Sequence, residues 1–180
     1  MLEKCVNRMQ EPIILSCRGN EPQFGEDCWI APNATIVGEF TCGDQCSFWF
    51  NSVIRADVNS ISFGNKVNVQ DGAVIHCTFE KTKTVIGNNV SIGHNALVHG
   101  CTIEDNVLIG MGSIVMDNCY IEEGSIIAAG AVLTENTRVK AGSIYAGVPA
   151  VFIKAVDERL LKGEVERIAN NYVKYSSWFK

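Results

Sequence analysis

The chain holds three histidines, His76, His94 and His99, and all three fall within a stretch of 24 residues. Three imidazoles suit a zinc-type ion that keeps a fourth position open to water. Such an ion activates the water it binds. Taken singly, each histidine has an ordinary reading as a surface or satisfied core residue. What decides between the readings is whether the chain folds so as to gather them.

The elements that must position these residues are repeats. From Trp29 onward the sequence falls into hexads led by an aliphatic residue, with a small or branched residue four places later. The clearest begin at Ile86, Ile92, Ile109, Val115, Ile121, Ile127, Leu133 and Val139; earlier ones begin at Ile30, Ile36, Cys42, Phe48, Ile54, Phe63, Val69 and Ile75. A six-residue period matches neither a helix nor a simple strand alternation. It predicts an all-β solenoid, a parallel β-helix with three hexads per triangular coil, positions one and five inward and Gly or Asn at the corners. The count is broken by nine residues from Ile54 to Phe63, eleven from Ile75 to Ile86 and five from Val98 to Ile103. The second break predicts a protruding loop over residues 77–84.

Residues one coil apart stack about 4.8 Å apart. Allowing for the loop, His76 and His99 are equivalent positions on adjacent coils, with Arg55 in the same column. His94 belongs to the preceding hexad, above Asp71 on a different face. One prism cannot bring the two groups together, but a three-fold homotrimer can, by setting one face of each chain against the other face of its neighbour. Each interface then holds His76 and His99 from one chain and His94 from the next.

Flanking this core, residues 1–28 are expected to form an N-terminal cap, with a strand at Ile13–Leu15. Residues 29–147 form the β-helix with the metal site, and residues 148–180 a C-terminal extension. Ala146–Ala150 reads as a terminator, and Asp157 as the N-cap of an amphipathic helix running to about Trp178. The composition is 47% hydrophobic and 19% charged with a net charge of −5. No Lys/Arg run supports nucleic-acid binding, and no long apolar stretch supports a membrane span. The opening M-L-E-K-C-V-N-R lacks a secretory pattern, and several of the eight cysteines fall at or beside small-residue positions of the repeat. The expectation is a reduced, cytoplasmic protein.

The set Arg55-Ala56-Asp57, Asn68-Val69-Gln70-Asp71, His76 and His94-Asn95-Ala96-Leu97-Val98-His99-Gly100-Cys101 resembles the motifs of the γ-class carbonic anhydrases and their short bacterial homologues. The resemblance implies a left-handed parallel β-helix of hexapeptide repeats, a homotrimer, and His76, His94 and His99 as ligands of Zn2+, or of Fe2+ or Co2+. It implies reversible hydration of carbon dioxide to bicarbonate by a metal-bound hydroxide. Gln70 would hydrogen-bond the metal-bound water, Asn68 would line the pocket, and Tyr172 matches a pocket tyrosine. Arg55 and Asp57 would form an intersubunit ion pair, and Asp71 would take a supporting or interface role beside His94. Two acids that carry protons in the family prototype fall on Val58 and Phe79 here; Glu80 is the neighbouring candidate for the proton shuttle. Three alternatives share the fold: a hexapeptide-repeat acyltransferase, a thioesterase-like enzyme, and a catalytically silent metal-binding trimer.

Overall fold

A computed structural model describes residues 11–180. Of the cap assigned to residues 1–28, the first ten lie outside the described residues. The chain is a parallel β-helix of about seven coils with a C-terminal helix. Its first face stacks Ile13–Leu15, the leading halves of Thr35–Cys42 and Val53–Phe63, then Val74–His76, Leu97–His99, Ile114–Val115 and Val132–Leu133. The second face continues those two long strands round the corner and adds Thr84–Ile86, Thr102–Ile103, Tyr120–Ile121 and Arg138–Val139. The third runs from Trp29–Ile30 through Ser47–Phe48, Asn68–Val69, Ser91–Ile92, Leu108–Ile109 and Ile126–Ile127 to Ser143–Gly147.

The hexad leads fill the prism. Ile54, Ile75, Val98, Val115 and Leu133 point inward from the first face, Ile86, Ile103, Ile121 and Val139 from the second, and Phe48, Val69, Ile92, Ile109 and Ile127 from the third, all at most 2% exposed. Burying each such side chain is worth roughly 1.5–3 kcal/mol, so register is held by the repeat itself. Position five carries small residues such as Ser52, Ala73, Ala96 and Ser113, buried where the corner narrows. A ladder of side chains runs up one corner: Asn65 Oδ1 accepts from the Asp44 amide at 2.7 Å, Asn88 Oδ1 from the Asn65 amide at 2.8 Å, and Asp105 Oδ1 from the Asn88 amide at 2.7 Å. Each rung ties one coil to the next and satisfies an amide the sheet leaves free.

All three breaks in the hexad count lie on one edge of the prism, between the first and second faces. Residues 57–60 bulge from the strand Val53–Phe63, whose pairing with the coil below shifts at this point. The loop one coil above is closed by the Thr78 amide donating to Thr82 Oγ1 at 2.9 Å, and Asn59 Nδ2 donates to Thr82 O at 2.9 Å. Above that, Gly100 closes the shortened corner with φ +52°, and its amide donates to Thr84 Oγ1 at 3.1 Å. A Cβ at Gly100 would collide with Asp117 Oδ1 and Thr82 Oγ1. The five-residue step therefore makes room for the loop beneath.

Beyond Gly147 the chain turns and Ala150–Ala155 pairs antiparallel with Ser143–Gly147, an edge strand the hexad count does not foresee. Asp157 caps the helix, its carboxylate accepting from the Leu160 amide at 2.8 Å. The helix is not uniform: Glu158–Leu160 and Arg167–Ser176 are α, but Leu161–Glu166 widens into a π turn around Gly163, a poor helix former. Val165 and Ala169 are buried, and the helix packs along the third face. No helix among the described residues is long and apolar enough to cross a membrane.

Candidate metal centre

The irregular edge gathers charged and imidazole groups. His76 and His99 are register partners on adjacent coils, and Nδ1 of His76 lies 3.1 Å from Nε2 of His99. The opposite nitrogen of each ring meets a carboxylate: His76 Nε2 stands 3.2 Å from Asp57 Oδ1, and His99 Nδ1 stands 2.5 Å from Asp117 Oδ1. With N–H donated to each carboxylate, the two unprotonated nitrogens face each other. That pairing suits a shared cation, and carboxylates behind imidazoles are the usual way a protein fixes the tautomer and orientation of a metal-binding histidine. A tetrahedral ion with bonds of about 2.0–2.1 Å holds its nitrogens about 3.3 Å apart, close to the spacing present.

Electrostatics agree with that division of roles. Burial raises the Asp57 carboxyl, but the bonds from Arg55 and His76 outweigh it and leave the group below the usual carboxylate range. Burial likewise opposes ionisation of Asp117, and bonds from Thr78 and His99 again win. Burial, then the charge of Arg55, hold His76 below the ordinary imidazole value despite its bond to Asp57. The thiols flanking the ligand positions do not compete: burial pushes Cys77 up to about 11 and Cys101 up as well. Asp117 is the one member the sequence reading missed.

Arg55 and Asp57 pair within the chain at 2.7 Å, on one strand, whereas the motif resemblance implies a pair between subunits. The two residues face the same side of an extended strand, which puts their side chains in reach of each other. Arg55 Nη2 also lies 3.4 Å from His76 Nδ1.

His94 stands elsewhere. Its Nδ1 lies 2.9 Å from Asp71 Oδ2, one coil below, and Tyr172 Oη on the C-terminal helix lies 3.5 Å from its Nε2. Burial, then the charges of Asp71 and Tyr175, push Tyr172 up to about 12, so the phenol keeps its proton. Gln70, His94, Met111 and Tyr172 line a cavity of about 410 Å³ between the third face and the helix. Gln70 Nε2 donates to Asn68 Oδ1 at 3.1 Å, and Asn68 Nδ2 donates to Ser91 Oγ at 2.8 Å. This chain of amides commits the Gln70 nitrogen and leaves its carbonyl oxygen for another donor. Among the described residues the three imidazoles do not converge within one chain. Glu80 sits on the loop beside the irregular edge, in a cleft with Asp57, Val58 and Phe79.

Comparison with known proteins bears on what such an arrangement belongs to. Residues 83–115 and 100–135 match the model of the bacterial transferase hexapeptide family (six repeats). A protein named "Probable carbonic anhydrase" from Methanocaldococcus jannaschii is 51% identical over 147 residues, covering 82% of this chain and 91% of that one. This chain belongs to the γ-class carbonic anhydrase family. Within the family, Gamma carbonic anhydrase 2, mitochondrial, of Arabidopsis thaliana is 36% identical over 84% of this chain, which spans 56% of that longer protein. A solved hexapeptide transferase family protein from Anaplasma phagocytophilum shares the architecture at a TM-score of 0.88 and 38% identity, covering 93% of this chain and 98% of that one.

Proposed function

We propose that the chain is a metal-dependent carbonic anhydrase that interconverts carbon dioxide and bicarbonate at the interfaces of a homotrimer. The observation that carries the proposal is the facing pair His76 and His99, each backed by a carboxylate, together with His94 backed by Asp71 on a separate face. Two half-sites with complementary donor sets are what a heterologous three-fold interface would join. His76 and His99 of one chain and His94 of the next would hold Zn2+, or Fe2+ or Co2+. Such an ion, when bound, draws the pKa of a coordinated water toward ~7 and so supplies a nucleophile at neutral pH.

The chain's own residues account for the rest. Asp57, Asp117 and Asp71 fix the imidazole tautomers. Gln70, oriented through Asn68 and Ser91, would accept at its carbonyl oxygen from a hydroxyl nucleophile and so orient it toward carbon dioxide. Tyr172 stays a neutral phenol and donates beside His94. Glu80, one residue from Phe79, would be the acid that passes protons from the edge to bulk water.

Stopped-flow carbon dioxide hydration on protein reconstituted with zinc, and with iron without oxygen, tests the reading. Activity is expected in the wild type and a loss of at least a hundredfold in His99→Ala. Tight binding of one ion per chain with no hydration would overturn it. Because the matched hexapeptide family and the Anaplasma structure carry the transferase name, acyl transfer belongs in the same assay series.

A further inference from the structure

A second group of ligand-type side chains lies toward the N-terminal end of the β-helix, at the corner between the second and third faces. Sγ atoms of Cys28, Cys42 and Cys46 all lie within 4.8 Å of one another, with Cys28 and Cys42 at 3.9 Å. The repeat explains why they meet. Cys42 and Cys46 are positions one and five across a single corner, and Cys28 sits one coil below Cys46 in the register that pairs Trp29 with Ser47. One coil on, the same three places hold Phe63, Val67 and Cys46; on the next they hold Ile86, Val90 and Val67. Only the first corner replaces hydrocarbon with three sulfurs.

Cys46 is buried while Cys28 and Cys42 are partly exposed, so the group opens to water on one side. The Cys28 thiol donates to the Gly43 carbonyl and the Cys46 thiol to the Gly64 carbonyl, each at 3.3 Å. Lys180 donates to the carbonyl of Asp27, next to Cys28, and its charge favours an anion there.

We propose that Cys28, Cys42 and Cys46 form a second metal site, separate from the histidine centre, for one soft divalent ion of the zinc and cadmium class held by three sulfurs with its fourth position open to solvent. An ion with metal–sulfur bonds of about 2.3 Å sets its sulfurs about 3.8–4.0 Å apart, the Cys28–Cys42 spacing. Binding replaces the thiol protons, which pass to solvent, and moves no electrons. Lys180 offsets the surplus negative charge of three thiolates on a divalent ion.

The site stands independently of the carbonic anhydrase reading, and the experiment removes the histidines to keep it so. In a His76→Ala, His94→Ala, His99→Ala background, reduced protein is titrated with Co2+ alone. One ion per chain is expected, with a near-ultraviolet sulfur-to-cobalt charge-transfer band that imidazole ligation does not give; Cd2+ should then displace it and protect three thiols from modification. Cys28→Ser and Cys42→Ser should each abolish the band, as should Cys46→Val, which copies Val67. Should the buried Cys46 variant fail to fold, the two partly exposed positions decide the matter. A reduced protein without the band, a band that survives all these variants, or a Cys28–Cys42 disulfide whose reduction restores no metal binding would each overturn the proposal.

Discussion

Asp117 shows how much of the candidate centre rests on a residue outside the motif. It accepts from His99 at Oδ1 and from Thr78 at Oδ2, each contact at 2.5 Å, so it ties the imidazole to the loop that covers the irregular edge. Replacing such a partner typically costs 10–100-fold in metal affinity while the ligands remain. Asp117→Asn is therefore expected to weaken metal retention about tenfold or more, read by competition with a chelator, with thermal stability little changed. Unchanged retention would remove Asp117 from the centre. The stacking of His76 on His99 was legible because it needed only a coil length plus a loop length. Asp117 was not legible: the register of Leu97 with Ile114 and Val98 with Val115 carries His99 to Met116, and the carboxylate comes from the corner one residue further.

At the scale of elements, stacked coils are joined by side chains as well as by backbone. Glu122 on the second face accepts from the Ala141 amide at 3.1 Å and from Arg138 Nε at 2.9 Å, linking two successive coils. The amide bond, then the Arg138 bond, hold its carboxyl below the usual range. A depressed folded pKa contributes stability that is present above the unfolded value of about 4.3 and is lost as pH falls through the folded value. Glu122→Gln should melt below the wild type at pH 7, and the gap should close as pH falls from about 4 through the lowered folded pKa; a gap that persisted below both values would show the ion pair contributes nothing. The same repeat that made the coils readable hid other elements. Ala150–Ala155 lies past the last hexad and forms through hairpin pairing, and the π turn at Leu161–Glu166 leaves the apolar spacing of the helix intact while widening its backbone. The trio Cys28, Cys42 and Cys46 was hidden differently: Cys28 and Cys46 fill small-residue positions and Cys42 a lead position of the repeat, and only the coil register reveals that they share a corner.

For the whole molecule, the decisive fact is that one chain separates its imidazoles into two half-sites, His76 with His99 and His94 with Asp71. If the trimer joins them, each centre draws two ligands from one chain and one from its neighbour, and complementation between defective chains becomes a direct measurement. A chain carrying His94→Ala keeps the first half-site; a chain carrying His76→Ala and His99→Ala keeps the second. Each alone should assemble into an inactive trimer. Co-assembled in equal amounts at random, an interface is intact only when a chain of the first kind precedes one of the second, so about one quarter of interfaces should recover hydration and metal binding. A site built within a single chain recovers nothing under any mixing ratio. Recovery near that fraction would also bear on the irregular edge as a whole, because the bulge, the loop and the shortened corner would then all lie where one subunit meets the next.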